Sequence, residues 1–124
     1  MKMHYLSKKE ETAIKSNIPW EDLDPGAIEL VRIANTVKGI ATVQSCAGHI
    51  KPKKDLMGGF HVRNSCLSFR CTEDRAHEIL FDKACEYLID TELRYFSDGT
   101  FFISLLVEPG NRTKLFKLLK ALKG

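Results

Sequence analysis

Residues 45–49 contain the closest grouping of potentially reactive side chains in the chain. Ser45-Cys46-Ala47-Gly48-His49 places a thiol, a flexible glycine and an imidazole within five residues. His49 can lower the pKa of the Cys46 thiol or accept its proton, Ser45 can donate a hydrogen bond, and Gly48 lets the backbone approach a ligand. Cys46 and His49 are therefore the candidate catalytic pair. The alternative, commoner for these residue types, is a buried strand-end cysteine followed by a turn glycine and a solvent-facing histidine.

A metal site is a second hypothesis for this segment. The two-residue gap between Cys46 and His49 is typical of a zinc half-site, and His61, Cys66 and Cys71 can supply further ligands. The predicted strand puts Cys66 and Cys71 on opposite faces, because an odd separation reverses the side-chain direction. All of these ligands cannot converge without a bulge, so zinc is the weaker hypothesis.

Cationic side chains follow the motif. Lys51, Lys53 and Lys54 surround a proline, and Gly59 and His61 come shortly afterwards. Lysines so placed can neutralise phosphate groups, which are the main source of sequence-independent nucleic-acid affinity. The sequence therefore predicts a loop in which these five residues contact an anionic ligand or cofactor.

Further charged and aromatic residues contribute to this prediction in different ways. Arg63 and Arg70 extend the predicted anion-binding surface, and an exposed Phe60 or Tyr95 can stack a base. The cations of the C-terminal helix are typical of a solvated helix face. Four other aromatic residues are predicted to belong to the core: Trp20, Phe101, Phe102 and Phe116.

The strands that must position these residues are predicted by residue alternation. One strand over 40–46 leads into the motif, and a second over 65–71 has one apolar and one polar face. Asp98-Gly99 between apolar runs predicts a hairpin joining strands over 93–96 and 101–107, with a positive φ at both turn residues.

Four helices are predicted. The first is a polar segment over 6–15, and hydrophobic spacing predicts the other three. The second is capped by Asp24, begins at Pro25 and ends at Gly39, and the third is capped by Thr72. The inner faces of the last three are predicted to be Ala27, Leu30, Val31, Ala34 and Val37; Ala76, Leu80, Ala84, Tyr87 and Leu88; and Leu115, Leu118, Leu119 and Leu122. The order α-α-β-β-α-β-β-α predicts an α+β fold with a mostly antiparallel sheet of about four strands.

Length and composition bound the class of protein. The chain has 124 residues, 44% hydrophobic and 28% charged, which predicts one α+β domain over 1–124. The net charge of +3 permits an anionic partner but is smaller than that of a dedicated nucleic-acid binder. No membrane-spanning stretch and no apolar leader are present in this sequence, so a cytoplasmic protein with reduced thiols is expected.

Residues 42–50 resemble a known motif. Thr42-Val43-Gln44-Ser45-Cys46-Ala47-Gly48-His49-Ile50 is similar to the Ser-Ser-Cys-Ser-Gly-Arg segment of the wybutosine-synthesis methyltransferase family, with His49 in place of the arginine and Ala47 in place of the second serine. Gly58-Gly59-Phe60-His61 is similar to that family's Gly-Gly-Trp stretch, and the strand and helix after it resemble the family's strand-then-helix unit. The resemblance covers about the middle half of the chain.

The resemblance implies a protein related to tRNA modification. The family methylates a guanosine-derived base in tRNA with S-adenosylmethionine. By that resemblance, Ser45, Cys46, Gly48 and His49 would line a pocket for a nucleotide, RNA or S-adenosylmethionine, and the three lysines of 51–54 would hold phosphate. The alternative function is a noncatalytic, metal-stabilised or protein-interaction module.

Overall fold

The computed structural model describes residues 2–23, 25–46, 53–54, 60–61 and 65–123, and it confirms the α+β class. Six strands are present in this part of the chain: β1 (Ile40–Cys46), β2 (Lys53–Lys54), β3 (Phe60–His61), β4 (Ser65–Cys71), β5 (Asp90–Tyr95) and β6 (Phe101–Val107). Four of them form the predicted antiparallel sheet, in the order β1-β4-β6-β5. The other two, β2 and β3, pair separately and were not predicted.

The helices of the described residues surround this sheet in the predicted sequence order. They are α1 (Lys8–Ser16), α2 (Ile28–Ala34), α3 (Glu73–Glu78), α4 (Ala84–Glu86) and α5 (Thr113–Lys123). Short 3-10 turns occupy Trp20–Asp22, Pro25–Ala27 and Pro109–Asn111, and one π-helical turn, Ile79–Lys83, joins α3 to α4. No helix in the described ranges is both long enough and apolar enough to cross a membrane.

The second predicted helix begins later than its sequence suggests. Pro25–Ala27 forms a 3-10 turn, and the α-helix starts only at Ile28; the predicted cap, Asp24, lies outside the described residues. The predicted core face is confirmed, because Ala27, Leu30, Val31, Ala34 and Val37 are all at most 2% exposed. Gly39, with a φ of +87°, then turns the chain into β1.

The third predicted helix is interrupted by the π-helical turn. Thr72 caps it as expected, accepting a hydrogen bond from the Arg75 amide at 3.3 Å. A π turn inserts an extra residue and rotates the following residues around the helix axis. Ala76 and Ala84 are buried, whereas Leu88 lies beyond the end of α4 with a φ of +55° and is 78% exposed, so its predicted place on the inner face of the helix is wrong.

Strand β4 is buried on both faces. Leu67 and Phe69 lie in the core that α2, α3 and α5 cover, together with the four predicted leucines of α5. The opposite face carries the polar side chains of Ser68 and Arg70, which are only 3% and 8% exposed. Ser68 hydrogen-bonds to Ser104 of β6 across 2.6 Å. This polar face is buried because the N-terminal segment lies over it.

Arg70 fixes that N-terminal segment. Its guanidinium donates to the Glu10 carboxylate at 2.5 Å and to the His4 carbonyl at 3.2 Å. Glu10 also belongs to the capping box that begins α1, in which the Ser7 hydroxyl accepts from the Glu10 amide at 3.1 Å. The hydrogen bond from Arg70, followed by the Ser7 amide, lowers the pKa of Glu10 from 4.5 to about 2.

The predicted hairpin forms with a different turn. The loop has three residues, 97–99, closed by hydrogen bonds from the Phe96 amide to the Thr100 carbonyl at 2.8 Å and from the Gly99 amide to the Phe96 carbonyl at 3.0 Å. Only Gly99 adopts a positive φ, of +90°, because the third loop residue alone is left-handed in this turn class. The strand before the turn begins at Asp90, earlier than predicted.

Among the aromatic residues predicted to be core, Phe101 is 2% exposed and Phe116 packs against the core as a partly buried side chain. Phe102 is half-buried. The prediction for Trp20 is wrong, because this residue is 42% exposed in its 3-10 turn.

Replacing Gly99 should destabilise the hairpin. A Cβ at this position would collide with the Lys2 carbonyl, and the positive φ adds strain for any L side chain. We expect Gly99→Ala to lower the free energy of unfolding by about 1–2 kcal/mol or more, the scale of the left-handed penalty alone. Urea unfolding measures this. Gly110→Ala is the matched control, since nothing lies within 4 Å of the added methyl group; equal losses in both variants would contradict the explanation.

The Glu10–Arg70 pair predicts an acid-dependent stability. Because the folded pKa is below the ordinary value, the carboxylate stabilises the fold fully above about pH 4.5, and this contribution disappears as the pH falls from there towards 2. Glu10→Gln should lower the stability at pH 7 and flatten its pH dependence in this window. Thermal unfolding between pH 7 and pH 2 tests this, and an unchanged slope would show that other groups dominate.

Candidate functional site

The predicted site residues all lie in or beside one chain segment. Residues 47–64, here called the 47–64 connection, join β1 to β4. Cys46, the residue before this connection, is the register partner of Cys66, the second residue of β4 after it. Directly opposite residues in an antiparallel pair have Cα atoms about 5 Å apart. The connection therefore leaves and re-enters the sheet at one place, as functional insertions on rigid scaffolds commonly do.

Ser45 and Cys46 form the root of this connection, on the last two positions of β1. Their backbone register pairs Ser45 with Leu67 and Cys46 with Cys66. The register shifts between Thr42 and Gln44, where one extra residue bulges out of β1. The alternation predicted over 40–46 is therefore interrupted at Val43, which has no register partner on β4.

The ladder of β2 and β3 brings two further candidates together. Lys53 pairs with His61, and Lys54 pairs with Phe60, so the connection contains a short antiparallel ladder. The remaining candidates, Gly48, His49, Lys51 and Gly59, lie outside the described residues. The predicted Cys46–His49 pair, and a metal centre that includes His49, therefore lie partly outside the described ranges.

The other predicted metal ligands are separated. Cys71 is buried in the core, and desolvation raises the pKa of its thiol to about 12. Cys66 is half-buried and lies opposite Leu106 of β6. The β4–β6 register is continuous over its paired residues, so the predicted opposite faces of Cys66 and Cys71 follow. Within the described residues, no group of three His, Cys, Asp or Glu side chains is arranged to hold a metal ion.

Charge is concentrated in the 47–64 connection. It contains four of the chain's 19 Lys and Arg residues, one of its 16 Asp and Glu residues and two of its four histidines. The other 106 residues thus carry 15 cationic and 15 anionic side chains. The whole net charge of +3 belongs to the connection.

Outside the connection, many charged side chains form ion pairs with a neighbouring residue. Arg70 was predicted to extend the anion-binding surface, but this is wrong, because it is buried and paired with Glu10. Other described cations also have acidic partners within 4 Å: Lys15–Glu11, Arg32–Glu29, Arg75–Glu78, Lys83–Glu86 and Arg94–Glu92. These ion pairs therefore leave no local excess of positive charge at their own positions.

An apolar cavity that the sequence analysis missed lies beside β1. It is open to solvent on one side, has a volume of about 430 Å³ and lies between α1, the 17–23 segment, α2 and β1, with Ile14, Ile18, Val31 and Val43 among its walls. Among the described residues, no charged side chain lines it. Val43 is the bulged residue and is 46% exposed. It lies three residues before Cys46, about 10 Å along an extended strand.

The chain was compared with protein-family models, with curated proteins and with solved structures, and none of the three comparisons gives a match.

The cysteines should differ sharply in reactivity. Only the thiolate is nucleophilic, and burial both raises the pKa of Cys71 and shields it from reagents. Cys85 is exposed. Brief alkylation of the native protein with iodoacetamide should therefore label Cys85 and leave Cys71 unlabelled, with peptide mass spectrometry as the measurement. In urea both should react; labelling of Cys71 in the native protein would contradict the buried position.

Proposed function

We propose that this protein binds RNA, of the tRNA class that the sequence resemblance indicates, through phosphate contacts of the 47–64 connection. The observation that carries this proposal is the concentration of the entire net charge in a single connection rooted at the paired positions Cys46 and Cys66. Lys51, Lys53 and Lys54 are the proposed phosphate-binding residues, with His61 beside Lys53 in the backbone register.

The distribution of charge favours one binding region over a diffuse one. Long-range attraction of a polyanion depends on the summed field of the surface. Because the rest of the chain is neutral overall and many of its charges are paired, an anion is drawn towards the connection. The modest net charge of the whole chain therefore understates the local field.

The C-terminal helix is the competing cationic surface. Lys117 and Lys120 are exposed on α5, whose leucines are buried in the core. Cations near a helix C-terminus are stabilised by the helix dipole, so these lysines have a structural explanation that needs no ligand. They supply a matched control for the connection.

The cavity beside β1 has the apolar lining that an RNA base requires. Proteins recognise RNA mostly at unstacked bases, which they hold on apolar or aromatic surfaces. The cavity has apolar walls, a volume in the range of small-molecule sites, and a position on the strand that leads into the connection. We propose that it receives a base while the lysines of the connection contact phosphate.

The resemblance also implies S-adenosylmethionine as a ligand of Ser45, Cys46, Gly48 and His49. S-adenosylmethionine contains an adenosine, which is a nucleoside. A site that binds a nucleoside of RNA therefore has the chemistry to bind this ligand as well. Calorimetric titration with S-adenosylmethionine tests this ligand separately from RNA, and a protein that binds tRNA without it would be an RNA-binding relative and not a methyltransferase.

Removal of the three lysines tests the proposal. The triple variant Lys51→Gln, Lys53→Gln and Lys54→Gln should bind unfractionated tRNA more weakly. It should also reduce the slope of log K against log salt by about 2, since each phosphate contact contributes about 0.7–0.9. Fluorescence anisotropy at several salt concentrations measures both quantities.

A second triple variant is the control. Lys9→Gln, Lys117→Gln and Lys120→Gln removes the same charge from exposed positions and should keep most of the affinity. Equal losses in both variants, or tRNA binding that does not depend on salt, would overturn the proposal. A zinc- or iron-sized mass excess in native mass spectrometry, together with a lower Tm after chelation, would support the metal-stabilised module in its place.

A further inference from the structure

Strand β5 lies at one edge of the sheet. Among the described residues it pairs only with β6, and five of its six residues are exposed. Leu93 and Tyr95, together with Phe96 just beyond the strand, are 38%, 55% and 57% exposed. Natural edges are usually blocked by a bulge, a proline, a lysine or a covering element. Residues 90–95 contain no proline or lysine, and the β5–β6 register is continuous.

The opposite edge of the same sheet is blocked by two of these devices. Strand β1 carries the bulge at Val43, and the side chain of Asn35 occupies its free side. The side-chain Oδ1 of Asn35 accepts a hydrogen bond from the Thr42 backbone amide at 3.3 Å, and the side-chain Nδ2 of Asn35 donates to the Thr42 hydroxyl at 2.9 Å. Helix α1 also lies against this strand. The two edges therefore differ in accessibility, and β5 is the one that can accept another strand.

The hairpin fixes which backbone groups of β5 point outward. The Phe96 amide bonds to the Thr100 carbonyl, so these two residues form a hydrogen-bonded pair. Hydrogen-bonded and non-hydrogen-bonded pairs alternate along an antiparallel ladder. Asp90, Glu92 and Arg94 accordingly direct their amides and carbonyls to β6. Thr91, Leu93 and Tyr95 direct theirs to the open edge.

Charge selects one register for pairing with a second copy. A two-fold axis through Glu92 places the two Glu92 side chains opposite each other, and an axis through Arg94 does the same for Arg94; like charges in such positions are destabilising. Within one chain, Arg94 donates to Glu92 at 2.5 Å. An axis through Leu93 places each Glu92 opposite the partner's Arg94, so the two pairs join into one network of alternating charge. It also brings the outward backbone groups of both Leu93 residues face to face. The strand is thus complementary to itself in both charge and hydrogen bonding.

We propose that two copies of this chain associate through antiparallel pairing of their β5 strands about Leu93, which joins the two four-stranded sheets into one of eight strands. The contact is isologous, so the same residues act on both sides and the association closes at two copies. Leu93 and Tyr95 supply apolar contacts on one face of the joined sheets, and Glu92 and Arg94 supply ion pairs on the other.

Charge reversal tests the register. Glu92→Arg and Arg94→Glu each turn two opposite-charge pairs into like-charge pairs and should raise the dimer Kd by about tenfold or more. The double variant restores complementarity and should regain most of the affinity. Sedimentation velocity from micromolar to millimolar protein measures this, with Lys117→Glu on α5 as the control for a distant charge reversal. A monomer at every concentration, or a double variant no better than the single ones, would overturn the proposal.

Cross-linking provides a second measurement. Leu93→Cys should form a covalent dimer when the thiols are oxidised by diamide, because the two-fold axis brings this position opposite itself. Arg94→Cys should give no more dimer than the unmodified chain, whose exposed Cys85 sets the background. Equal cross-linking of both variants would contradict pairing about Leu93.

Discussion

The Arg70 guanidinium cannot be left without a counter-charge, because its residue is only 8% exposed on the central strand β4. Glu10 supplies that charge, and the capping box with Ser7 holds Glu10 at the start of α1. The same guanidinium bonds to the His4 carbonyl, and the Leu6 amide bonds to the Cys71 carbonyl. One buried charge thus fixes the N-terminal segment over the face of the sheet opposite the main core.

Covering that face has consequences for the rest of the sheet. Ser68 and Ser104 become buried and satisfy each other across 2.6 Å, as buried hydroxyl groups must. With α1 against β1, the sheet has one blocked edge and one open edge at β5. Because β5 is an edge strand, its Glu92 and Arg94 are placed to face the same residues of a second copy, as we propose, which a strand in the interior of a sheet would not allow.

Two residues that the sequence offered as candidate ligands have structural roles in the fold. Cys71 is buried in the core and Arg70 forms a buried ion pair with Glu10, so neither residue is available to a ligand. Most of the other candidate site residues belong to the 47–64 connection or to Ser45 and Cys46 just before it, and the whole net charge of the chain lies in this connection.

Local patterns in the sequence determined the class and order of the elements. Apolar alternation located β1, β4 and β6, and the capping residue Thr72 located the start of α3, because these signals act within a few residues. The motif at 45–49 and its lysines were also found in this way. Tertiary contacts decided the rest: the bulge at Val43, the π turn before Leu88, the ion pair between residues 60 positions apart and the cavity beside β1. Each depends on which distant surfaces meet, and no local period encodes that.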